Sequence, residues 1–103
     1  YRRTNNMNLN QLAEAAATYY DISLTALHSP WSKAKYVKPR HMCQWIANDA
    51  GYTKSVIARF WKRDRQAIYY GCRVVQCRLD TSEAAVEEMK SFMEHIKTTS
   101  PVL

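Results

Sequence analysis

Apolar positions recur along this chain at intervals of three and four, the period of an α-helix seen from one side. Leu9, Leu12, Ala13, Ala16 and Tyr19 or Tyr20 form the first such stripe, and Asn8 stands ready to cap it. Asp21 and Ser23 break the pattern, and Ser23 predicts a short helical turn holding Leu24 and Leu27. Residues 28–39 read as a lysine-bearing loop with Trp31 and Tyr36 interleaved, and Pro39 suits the first turn of the next helix. That helix carries Met42, Cys43, Ile46, Ala47 and Ala50 on one side, and Gly51 ends it.

Thr53 is the next N-cap, with Val56, Ile57 and Phe60 inward and Trp61, Lys62 and Arg63 as a turn. Asp64 caps a helix whose inner face is Ile68, Cys72, Val75 and Leu79. Asp80, Thr81 and Ser82 offer a further cap, and Asp80 with Glu83 has the spacing of a capping box. The last helix turns Val86, Met89, Met93 and Ile96 inward with Phe92 beside them, and Glu83, Glu87 and Glu88 outward. Residues from Thr98 onward read as a frayed end. The expected fold is all-α: a small bundle of five main helices and one minor turn, with no strand.

Composition narrows this further. At 103 residues the chain reads as one domain, residues 1–103, and 47% hydrophobic content supplies a core. It opens at Tyr1, so it reads as part of a longer protein. Cys43, Cys72 and Cys77 form no Cys-x-x-Cys pair and have no histidine at zinc-finger spacing. They read as reduced thiols in a cytoplasmic protein that needs no metal or other cofactor. No long apolar run predicts a membrane span. His28, His41 and His95 are scattered and define no catalytic arrangement, so no enzymatic activity is expected.

Charge points to the partner. Between Lys33 and Arg78 there are eleven Lys or Arg against two acids, Asp49 and Asp64. From Asp80 to Lys97 there are five acids and two bases. The net charge is +6. A positive centre of this kind favours a polyanion. The helix pair around residues 53–60 and 64–79, joined by a three-residue turn, has the length and order of a helix-turn-helix. With Ile68, Cys72 and Val75 inward, Arg65, Gln66 and Tyr69 project from the other side, with Arg73 one turn on. Arginine matches the two acceptors of guanine, and glutamine the donor and acceptor of adenine. Lys54, Lys62 and Arg63 are placed to hold phosphates.

The run YVKPRHMCQWIANDAGYTKSVIARFWKRDRQAIYYGCRVV resembles the C-terminal DNA-binding domain of the bacterial replication initiator DnaA. That family has a basic loop, an Arg-Pro-Arg-Gln step into a helix, and a signature near Gly-Gly-Arg-Asp-His-Thr-Thr-Val. It also opens with a helix ending in two tyrosines, as LAEAAATYYDISLTAL does here. The resemblance spans roughly residues 9–97. It implies that Lys33, Lys35 and Lys38, followed by Arg40, form a phosphate-binding loop, with His41 near the backbone. The family's minor-groove arginine position is Ser32 here. The signature Arg-Asp falls on Arg63 and Asp64, and the resemblance implies a base contact for Asp64 beside its capping role. The signature His and two Thr become Arg65, Gln66 and Ala67, the turn's two glycines become Trp61 and Lys62, and a helix glycine becomes Ile57. A target different from the initiator's own box is therefore expected.

The chain also has no Gly-rich phosphate loop, so these residues carry no ATPase. Double-stranded DNA is the expected partner, in a transcription regulator of a bacterium or phage, with RNA polymerase or replication proteins met through other domains. Two alternatives stay open. One is the DNA-binding segment of a DnaA-type initiator or phage relative. The other is a helical interaction module that docks an acidic protein surface.

Overall fold

Six helices follow one another in the computed structural model, which describes residues 8–99. No strand occurs among the described residues. Helix α1 (Leu9–Tyr20) starts at a full capping box: Gln11 N–H donates to Asn8 Oδ1 at 2.8 Å, and Asn8 N–H donates to Gln11 Oε1 at 3.0 Å. It stops where Asp21 takes the left-handed conformation, at φ 56°. Helix α2 (Leu24–His28) is a single capped turn that seats Ala26 and Leu27 in the core.

Helix α3 (Ala34–Asp49) begins earlier than the sequence pattern indicates, taking Lys35, Lys38 and Pro39 into the helix. Lys33 starts it through its carbonyl alone, which accepts from Tyr36 at 2.9 Å and Val37 at 3.0 Å. Pro39 is therefore internal, and the Lys35 carbonyl loses its usual i+4 donor. Full burial of the Pro39 ring offsets that loss. Gly51 terminates the helix region at φ 114°, as its type predicts.

Helix α4 (Lys54–Trp61) buries Ile57, Ala58 and Trp61. This face is one residue out of step with the Val56, Ile57, Phe60 stripe expected from the pattern. Val56 is exposed and Phe60 half-buried. The cause is at the C-terminus, where Lys62 takes the left-handed cap at φ 56° and so keeps Trp61 in the helix and in the core. Helix α5 (Arg65–Thr81) runs two residues beyond its expected end. Asp80 consequently lies inside it, and Ser82 caps helix α6 (Glu83–Thr99), accepting from Ala85 N–H at 3.2 Å. The expected Asp80–Glu83 capping box does not form. Helix α6 continues through Thr98, so no fray starts there; residues 100–103 lie outside the described set.

One contiguous core joins all six helices. Helix α3 runs through its middle, touching α1, α2, α4 and α5, while α6 closes the far side against α1 and α5. Phe92, wholly buried, is the centre of α6 rather than a flank; Tyr19 and Tyr20 ring it at 5.1 and 5.4 Å. Glu88 does not face outward as expected. It accepts from Tyr20 Oη at 2.8 Å and pairs with Lys38 Nζ at 2.9 Å. Helices α3 and α5 pack closely, and Gly71 allows it. A Cβ there would lie 2.8 Å from His41 Cδ2 and closer still to Gln44 Oε1. That buried oxygen has no hydrogen-bond donor, and a side chain at position 71 would collide with it.

Gly71→Val should therefore lower unfolding free energy by about 1–3 kcal/mol through overpacking. Urea denaturation monitored by helical circular dichroism checks it; an unchanged midpoint would mean that α3 and α5 are less tightly seated.

Candidate nucleic-acid interface

The unit α4–turn–α5 is built by two caps and one strained residue. Thr53 Oγ1 accepts from Val56 N–H at 3.2 Å and starts α4. Lys62 then occupies the left-handed position usually given to glycine, and Arg63 N–H returns to the Ala58 carbonyl at 2.9 Å. Asp64 Oδ1 accepts from Ala67 N–H at 2.9 Å and starts α5. The turn thus spans Lys62 to Asp64, one residue later than expected. Asp64 is exposed and its capping role is direct.

Burial along α5 follows the expected stripe. Ile68 is 0%, Cys72 9% and Val75 5% exposed, with Leu79 half-buried. Arg65, Gln66, Tyr69 and Arg73 are all exposed. The outer flank of α5 forms one wall of an open groove of about 880 Å3; Trp45 and Asn48 from α3 and Lys54 from α4 form the other. Its lining holds three cations, Lys54, Arg65 and Arg73, and no carboxylate. At the far end Trp45 Nε1 donates to Gln76 Oε1 at 3.0 Å, and Gln76 Nε2 donates to Asp80 Oδ1 at 2.9 Å. That relay fixes the Gln76 amide and sets a carboxylate where the cationic stretch stops.

The other cations expected to hold phosphates fall into three groups. Lys33, Lys35 and Lys62 are exposed. Lys38 is half-buried and neutralised by Glu88. Arg40 departs from the phosphate-binding role expected of it. It is only 6% exposed; its Nε donates to the Leu27 carbonyl at 2.9 Å and its Nη2 to the Trp31 carbonyl at 2.6 Å. Burial first, and the nearby Arg63 charge second, lower its pKa. Arg63 does related work: its Nη2 donates to the Ser29 carbonyl at 2.8 Å. The two guanidiniums pin the 28–33 connection against the α4–α5 turn, and the His28 ring packs there against Phe60 and Trp61. The segment leading into Lys33 and Lys35 is thereby tied down at the Leu27, Ser29 and Trp31 carbonyls.

His41 packs across Tyr70 beside Gly71. Burial, then Arg40 and Arg63, hold its pKa below the ordinary value. His28 is lowered by burial, then Lys62 and Arg40. Cys43 and Cys72 are buried, and burial pushes both thiols up; Cys77 is exposed. No cluster of three or more metal-ligating side chains occurs among the described residues. No described helix is long and apolar enough to cross a membrane.

Trp45, Asn48 and Gln76 were not legible as groove residues. Nothing in their local pattern places the end of α3 beside α5. Gly71 did carry a signal, since a glycine in the interior of a helical stripe marks close approach. No family model matches the chain.

Both histidines favour the neutral form in the folded state. The unfolded chain takes up protons at the ordinary value of 6.5. Below that pH the unfolded state binds more protons, so stability should fall as pH drops from 7.5 toward 5. Urea midpoints measured across this range check it, and His41→Gln should flatten the dependence. A wild-type midpoint that rises on acidification would contradict the assignment.

Proposed function

We propose that this chain is a duplex DNA-binding domain in which α4 and α5 act as a helix-turn-helix. The observation that carries the proposal is the acid-free groove along α5, with exposed Arg65, Gln66, Tyr69 and Arg73 on a helix whose opposite side is locked in the core. A helix with that distribution can enter a major groove without exposing core residues. Arg65 and Gln66 sit in its first turn, where base edges are met. Tyr69 and Arg73 follow on the same flank, and Asp64 combines its cap with an acceptor for a cytosine amino group. Lys33, Lys35 and Lys62 supply backbone neutralisation. The changed residue types at positions 65–67, set beside the DnaA pattern, favour a transcription regulator with its own target over an initiator reading its usual box.

With Lys33, Lys35 and Lys62 on phosphates, log affinity should fall with log salt at a slope of about −3. Fluorescence-anisotropy titration of a labelled random duplex at several salt concentrations measures it. Salt-insensitive binding, or equal competition by polyglutamate, would instead indicate an acidic protein partner.

Arg65→Ala should cost about 1–3 kcal/mol on a site selected from a random pool and relax preference at one base position. Uniform weakening across all sequences would make Arg65 a phosphate contact.

A further inference from the structure

Lys54 stands at the first position of α4. A cation there opposes the positive end of the helix dipole, so the helix itself gives no reason for it. Its side chain also does not extend freely. Lys54 Nζ donates to Asn48 Oδ1 at 3.2 Å and lies 4.7 Å from the centre of the Tyr69 ring. Asn48 is held in turn, because its Nδ2 donates to the Tyr52 carbonyl at 3.0 Å. The Asn48 amide therefore cannot rotate to release Lys54 without breaking a contact at the α3–α4 connection. All three side chains line the groove beside α5.

We infer that Asn48 and Lys54 are positioning residues for Tyr69, setting which base α5 prefers, and that Lys54 is not a phosphate contact. The inference rests on the reading of α5 as the DNA-contacting helix. Tyr69 is 54% exposed, and a ring so free would sample several rotamers. A cation over its face, itself fixed by an amide, selects one of them. The ring then meets DNA already oriented, and the ordering cost is met on folding rather than on binding. A lysine committed in this way adds little to counterion release.

The experiment compares wild type, Lys54→Met, Lys54→Arg, Asn48→Ala and Tyr69→Leu on the full chain, each first checked for a wild-type circular dichroism spectrum. Anisotropy titrations use a selected duplex, the same duplex changed one base at a time, and a random duplex at several salt concentrations. Lys54→Met and Asn48→Ala should each reduce preference at one base position by about two- to fivefold. The salt slope should change by well under one unit. Lys54→Arg should restore the preference, since a guanidinium also stacks on an aromatic face. Lys54→Met should have no further effect on selectivity in a Tyr69→Leu background. If Lys54→Met instead weakens every duplex alike and lowers the salt slope by about one unit, Lys54 holds a phosphate and the inference fails while DNA binding stands. If Lys54→Met does not fold, additive selectivity losses for Asn48→Ala and Tyr69→Leu in the double variant would overturn it equally. Failure of wild type to bind any duplex would remove the DNA reading beneath it.

Discussion

The seating of α5 on α3 is the constraint on which the rest of the molecule depends. Ile68, Cys72 and Val75 turn one side of α5 into the core, and Gly71 lets the α3 side chains of His41 and Gln44 come within contact distance. Rotating a helix held that closely about its axis would expose its apolar face and drive it into α3. Its outer residues are therefore presented in one fixed direction, and the groove between its flank and the end of α3 has a defined width. The same contact sets the environment of His41, which packs on Tyr70 and whose pKa burial lowers first and the Arg40 and Arg63 charges second.

The basic residues are not one population. A cation stays available to a polyanion only where the fold gives it no nearer partner. Arg40 and Arg63 spend hydrogen bonds on backbone carbonyls between Leu27 and Trp31, and so tie that connection down. Lys38 is satisfied by Glu88, which also draws in Tyr20 and links α6 to the basic centre. Lys54 is taken up by Asn48 and Tyr69. The exposed set that remains, Lys33, Lys35, Arg59 and Lys62 with Arg65, Arg73 and Arg78 of α5, is seven of the eleven cations between Lys33 and Arg78.

Much of the fold was legible because helical burial has a period that a sequence writes down directly. The caps at Asn8, Ser23, Thr53 and Asp64 all form, since each needs only a side-chain oxygen and a free N–H three residues on. The errors have local causes. Pro39 looked like a helix start, but Lys33 opens α3 through its carbonyl alone, a start that leaves no side-chain signature. Trp61 looked like a turn residue because Lys62 is an unusual left-handed cap; with the cap displaced, the inner face of α4 shifted by one residue. Asp80 had the spacing of a cap, yet Gln76 engaged it inside α5.

Read alone, the chain determined six helical segments, the inner stripe of α5 and the cationic centre, because periodicity and charge are properties of neighbours along the backbone. It could not assign partners to Arg40, Lys38 or Lys54, nor bring Trp45 and Asn48 to the flank of α5. Those outcomes depend on the angle and depth at which helices cross. Side chains far apart in sequence meet only once the core has closed, and that closure decides which charges remain free.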